Sequence, residues 1–156
     1  MNRTTYQAAC VSCCLLALTA CSSLETQPEA GSQNTLAMAT QTLRDSNIRA
    51  NPAVEGLMQQ ADTLIENNRL DLAEEKIERA LRISPDYAPG WSRLSRIALS
   101  RNDPARAIQM AKRSNACAGD TIELKRLNWL FIRDARVSLN DAEGVEQANA
   151  AIRRLQ

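Results

Sequence analysis

From Val54 onward the chain repeats itself every 34 residues, and a period of that length confines it to stacked copies of one small supersecondary unit. Leu57, Ala61 and Leu64 share a helical face; after a break, Ala73, Ile77 and Ala80 share another, closed by Pro85. One period later stand Trp91, Leu94, Ser95 and Ala98, then Ala107, Ala111 and Ser114. The breaks fall where a helical hairpin needs them. Asn67, Asn68, Arg69, Leu70 and Asp71 end one helix, Arg101, Asn102, Asp103 and Pro104 end another, and each group offers an aspartate as N-cap of the helix that follows. Pro104 suits a first helical position, and Ser84, Pro85 and Asp86 place a proline just past a helix end. A single hairpin cannot cover its own apolar face, so copies must stack, and about three are needed to close a core.

A third, degenerate unit follows. Trp129 stands 38 residues after Trp91, and Leu139, Asn140 and Asp141 echo Arg101, Asn102 and Asp103 at the same distance. An insertion of four residues near Cys117, Ala118, Gly119 and Asp120 accounts for the shift. The last helix, over 142–156, carries Val145, Ala148, Ile152 and Leu155 at helical spacing.

The pattern resembles the tetratricopeptide repeat, whose signature is Trp, Leu, Gly and Tyr on the first helix and Ala, Phe, Ala and Pro on the second. Here Gln60 replaces the usual Leu, Ala61 and Ser95 replace Gly, and Leu64 and Ala98 replace Tyr. The resemblance implies an all-α fold over residues 52–156, with two clear hairpins plus the degenerate third stacked as a short α-solenoid. Repeats of this kind present the faces of their first helices to a protein partner. Carried over by position, those faces hold Met58, Gln59, Asp62, Ile65 and Glu66, then Ser92, Arg93, Arg96 and Leu99, then Leu130, Phe131, Asp134 and Val137. The partner-binding groove is expected at Met58, Asp62, Arg93, Arg96, Leu130, Phe131 and Asp134. Arg93 and Arg96 are expected to be solvated, so that reversing both charges weakens binding and leaves stability nearly unchanged.

Ahead of the repeats the chain changes character. Met1, Asn2 and Arg3 form a short cationic start, an apolar run extends from Ala8 to Leu18 broken only by Ser12, and Leu18-Thr19-Ala20-Cys21 closes it. That order reads as a secretory signal over residues 1–20. The closing box resembles the lipobox of bacterial lipoproteins, which implies cleavage between Ala20 and Cys21, a diacylglyceryl group on the Cys21 thiol and an acylated new amine. The apolar run is shorter than the ~20 residues that span a bilayer, so the mature chain is expected to be anchored through lipid rather than threaded through the membrane, and two or three acyl chains hold stably. Ser22, in place of the aspartate that retains such proteins at the inner membrane, implies the periplasmic face of the outer membrane. Residues 21–51 read as a lipidated tether: 25–34 is polar, with Pro28, Gly31 and Ser32, and too poor in apolar groups to fold. Leu36, Met38, Leu43 and Ile48 allow a short amphipathic helix over 35–49. About 30 flexible residues have an r.m.s. span of ~30 Å and a limiting reach near ~100 Å.

Other chemistry is scarce. Cys10, Cys13 and Cys14 leave with the signal and Cys21 becomes a thioether, so Cys117 is the one free thiol, a small residue in a loop. The chain holds no histidine, which removes histidine triads, the usual general base and most zinc sites. No phosphate-binding loop, dinucleotide fingerprint or nucleophile elbow is present. The expectation is therefore no enzyme, no catalytic residue, no metal, no cofactor and no small-molecule substrate. Beyond Cys21 the chain carries 18 basic side chains (all 19 but Arg3) and 18 acidic ones, a balance that argues against nucleic acid as a partner. Residues 54–87 hold eight acidic and four basic groups, and 88–115 six basic and one acidic, so the module is dipolar.

A lipid anchor, a polar tether and two or three tetratricopeptide repeats together resemble the LpoP-type activators of bifunctional class A penicillin-binding proteins. The resemblance implies an envelope protein as partner and a role in peptidoglycan synthesis. The alternative is a pilotin-like or other factor that assembles an envelope complex, although pilotins of this repeat class usually have about twice as many repeats.

Overall fold

The computed structural model describes residues 51–156; the signal, the Cys21 lipidation site and nearly all of the tether, including the 35–49 segment, lie outside the described residues. Six helices follow in order, with no strand among the described residues: α1 (Pro52–Glu66), α2 (Leu70–Ile83), α3 (Ala88–Ser100), α4 (Pro104–Cys117), α5 (Ile122–Ser138) and α6 (Ala142–Arg153). Each helix packs on the next in sequence, and α3 also touches α5. This is the helical-repeat solenoid implied by the 34-residue period.

Local chemistry explains the boundaries. The side chain of Asn51 accepts the Ala53 amide at 2.9 Å, with Pro52 at the helix start. Asp103 accepts the Arg106 amide at 3.0 Å, and Asp141 the Gly144 amide at 2.9 Å. Asp71 departs from expectation. The cap of α2 is Arg69, with no side-chain bond, and Asp71 sits inside the first turn, where its charge suits the helix dipole. The hairpin turns share one device: Asn68, Asn102 and Asn140 adopt φ of 55°, 56° and 54°. Asparagine tolerates this left-handed conformation better than most residues, so the same residue recurs where the chain reverses.

The third unit is confirmed, but its extra residues are not in a loop. Residues 84–87 join α2 to α3 and 118–121 join α4 to α5, four residues in each case. The difference lies in the helices themselves, since α3 has 13 residues and α5 has 17. The insertion is one added turn at the start of α5, where helical hydrogen bonds satisfy the backbone groups that a longer loop would leave to solvent. Cys117 accordingly ends α4 rather than lying in a loop.

The core has two parts that meet at α3. Leu94 and Ile97 of α3 join Val54, Ala61, Ala73 and Ile77 of the first hairpin. Ala88 and Ala98, also on α3, join Ala107, Ala111, Leu124, Phe131 and Ile132. Alanines at 61, 73, 80, 107 and 111 are almost fully buried, as small residues must be where paired helices come close. Gly90 marks a close approach between helices, since a β-carbon there would stand 2.9 Å from Leu81 Cδ2. The outer side of α6 (Glu143, Glu146, Gln147 and Arg153) is exposed and polar, so this helix closes the stack against water.

An ionic clamp holds α2 to the α3–α4 turn. Arg101 and Arg106 both bond Glu74, and Arg101 also reaches Asp71 at 2.5 Å. Burial alone would raise the Glu74 pKa, but hydrogen bonds from the two guanidiniums and their charges outweigh it, holding the carboxyl below its ordinary value of 4.5. The clamp therefore contributes stability above about pH 4.5 that is lost as pH falls through the lower folded value. Glu74→Gln should lower stability at pH 7 and flatten the acid limb below pH 4.5, which denaturant melts across that range will read.

Candidate protein-interaction surface

The first helices α1, α3 and α5 carry the residues expected to form a partner-binding groove, and the structure distributes them unevenly. Arg96 and Leu130 are partly exposed, and the Asp134 side chain, 16 % exposed, accepts from Arg133 Nε at 3.0 Å and Nη2 at 2.7 Å. Met58, at 3 % exposure, is packed into the first part of the core, and Phe131, at 0 %, into the second. Asp62 and Arg93 are buried against each other. Arg93 Nε donates to Asp62 Oδ1 at 2.8 Å and Nη2 to Oδ2 at 2.7 Å, and Nη1 donates to the Pro89 carbonyl at 3.2 Å.

This corrects the expectation for the arginine pair. Arg93 is not a solvated groove residue, and reversing its charge is not neutral for stability. Residues on neighbouring first helices that look toward a groove also look toward each other. Where two carry opposite charge and fork-shaped donors match a carboxylate, they close on one another. Phe131, at the place of Arg93 in the third unit, is spent on packing for the related reason that an aromatic side chain gains more from burial between helices than from water.

The junction between the second and third units uses a different chemistry, which the sequence reading missed. Ser92 donates to Asn128 Oδ1 at 2.6 Å, and Asn128 Nδ2 reaches Ser114 Oγ at 2.8 Å and Asn115 Oδ1 at 2.9 Å. Ser114 in turn donates to the Ala88 carbonyl at 2.8 Å. These groups tie α3, α4 and α5 together with no formal charge. A partial signal existed in Ser114, which occupies the register position of Ala80, a hydroxyl where packing asks only for a small residue. Ser95 is parallel, donating to the Ala107 carbonyl at 2.8 Å from the position of Ala61.

A recess of about 630 Å³ opens between α2, α3 and α4. Leu81 and Leu94 form its floor, with Pro85, Trp91 and Met110 as walls and Glu78, Arg82 and Arg106 at its mouth. The Trp91 indole N–H donates to the Pro85 carbonyl at 2.7 Å, and the Arg113 guanidinium lies 5.7 Å from the ring centre. Arg113 also reaches Asp86 at 3.2 Å.

The Cys117 thiol sits 3.7 Å from an Asp86 carboxylate oxygen. Burial pushes its pKa up, and the nearby carboxylate adds to this against Arg113, so the group stays protonated at neutral pH. Among the described residues no cluster of three metal-ligating side chains exists, and no helix is long and apolar enough to cross a membrane.

Comparison with known proteins agrees with this geometry. Residues 64–127 match the family model of the tetratricopeptide repeat. Among solved structures, the chain is similar to the globular C-terminal domain of P. aeruginosa LpoP, with a TM-score of 0.61 and 27 % identity. The match covers 69 % of this chain and 98 % of that domain. No curated protein matches the chain in sequence.

Proposed function

We propose that this tetratricopeptide-repeat protein, similar to LpoP, is an outer-membrane lipoprotein whose repeat domain activates a bifunctional class A penicillin-binding protein in peptidoglycan synthesis. The observation that carries the reading is the likeness to nearly the whole LpoP globular domain at 27 % identity. The order of parts supports it: a signal-like apolar run, a lipobox-like stretch ending at Cys21 and a polar segment precede the repeats. Lipid holds one end at the outer membrane, and ~30 flexible residues with a limiting reach near ~100 Å let the repeats meet a synthase across the periplasm. The repeats bind an active conformer of the synthase better than an inactive one, and binding shifts the population toward polymerisation and crosslinking. No catalytic group of its own is required. On the first-helix face the proposed contacts are the partly exposed Arg96, Leu130 and Asp134, with Arg93, Asp62, Met58 and Phe131 as the buried frame beneath them.

Two outcomes are expected. Cys21→Ala should abolish incorporation of labelled fatty acid and release the chain from membranes; normal outer-membrane fractionation of that variant overturns the anchor. Purified repeat protein should raise the rate of glycan polymerisation by the synthase, and Arg96→Glu with Asp134→Arg should reduce that gain while leaving helicity intact. An unchanged polymerisation rate with wild-type protein overturns the activator role.

A further inference from the structure

We propose that residues 36–49 form a lone second helix that docks on α1, a half-repeat standing one period ahead of α2. Subtracting 34 from the bounds of α2, Leu70–Ile83, gives 36–49. The register holds inside that window. Asn34 falls at the reversal position of Asn68 and Asn102, both at positive φ, and Leu36 at the position of Leu70. Ala39 takes the place of Ala73 and Ala107, and Leu43 that of Ile77, all fully buried positions. Ser46 and Asn47 recur two periods later as Ser114 and Asn115, which both accept from Asn128 Nδ2 at the second junction. A polar tether has no reason to keep a turn residue, packing positions and a polar pair in one frame, whereas a repeat unit must.

The side of α1 that this helix covers is open among the described residues. On α3, a β-carbon at Gly90 would stand 2.9 Å from Leu81 Cδ2 of the preceding helix. Gly56 holds the same position on α1, and among the described residues nothing lies within 4 Å of a β-carbon there. Asn47 holds the position of Leu81, so a large side chain again stands one repeat element ahead of a glycine. Gln60 and Thr63 are exposed, where their counterparts Leu94 and Ile97 are buried at 4 % and 1 %. This junction is therefore more polar than that of α2 with α3, and it matches the uncharged links of Ser92, Asn128 and Ser114. The occupant is the chain's own segment because only Ala50 and Asn51 separate it from α1, a connection inside the usual range of about two to eight residues. So short a link supplies an effective concentration of about millimolar order, which a separate molecule does not match. Docking itself is independent of the lipid anchor; its consequence rests on that reading. With 36–49 docked, the free tether is residues 21–35, whose limiting reach is ~50 Å, half that of the whole segment.

The test is amide hydrogen exchange on the mature chain with Cys21→Ser, run at two protein concentrations. Amides over 38–48 should exchange about tenfold or more slowly than in a free peptide of residues 33–50. Leu43→Asp removes the apolar contact and Gly56→Leu fills the slot on α1. Each should return the segment to the peptide rate while α2 to α6 keep their protection. Gln41→Glu, at the position of the exposed Glu75, should leave the protection in place. Because the chain is soluble and lipid-free, the result does not depend on the Cys21 anchor. Exchange at the peptide rate in the starting chain overturns the proposal. Protection that survives Gly56→Leu overturns it by placing the segment elsewhere, and protection that rises with concentration overturns it by assigning the face to a second copy.

Discussion

Arg93→Ala is expected to destabilise the repeat domain by about 3–5 kcal/mol, and Arg93→Glu by more, because removing one partner leaves the Asp62 carboxylate buried and uncompensated. The Arg93 side chain is 3 % exposed and that of Asp62 11 %, so water cannot rescue the survivor. A loss of that size approaches the whole stability of a small domain, commonly about 5–15 kcal/mol. Chemical denaturation should show a large fall in midpoint with little change in slope. Replacing both residues by leucine should recover much of the loss, since two apolar side chains of similar volume leave no charge to solvate. If Arg93→Glu melts like wild type, the pair is solvated and Arg93 returns to the groove.

Phe131→Ala should cost about 3–5 kcal/mol by a different route. Phe131 is 0 % exposed and lies in the α3–α5 part of the core with Leu124, Leu127 and Ile132. Truncation leaves a hollow that rigid helices on both sides cannot collapse. If the side chain were a partner contact instead, the same change would spare the melting curve and reduce binding. The melt therefore separates packing from recognition at this position.

The hairpins were legible because their causes are local. Asn68, Asn102 and Asn140 mark every reversal within a pair, and the spacing of alanines at 73, 80, 107 and 111 follows helix contact. Asp103 and Asp141 cap as their position suggests. The four extra residues are legible only as an insertion near Cys117, Ala118, Gly119 and Asp120, because they shift the register equally in a loop or in a helix, and only hydrogen bonding places them in the first turn of α5. The candidate surface was less legible. Helical periodicity places a residue on a face, but it does not say whether that face meets water or the next repeat. Asp62 and Arg93 stand 31 residues apart, and their pairing depends on how α1 and α3 are set against one another. The Ser92–Asn128–Ser114 links likewise span three helices, and polar residues at such positions look solvated until the third dimension is supplied.

The folded repeat domain is proposed to bind a class A synthase without an intermediary. Calorimetric titration of the lipid-free chain into the purified periplasmic part of that synthase is the decisive measurement. Saturable one-to-one binding is expected, weakened in Arg96→Glu with Asp134→Arg while the variant keeps its helicity. A correctly folded chain that shows no binding at about 100 μM synthase, a limit near −5.5 kcal/mol, would contradict it.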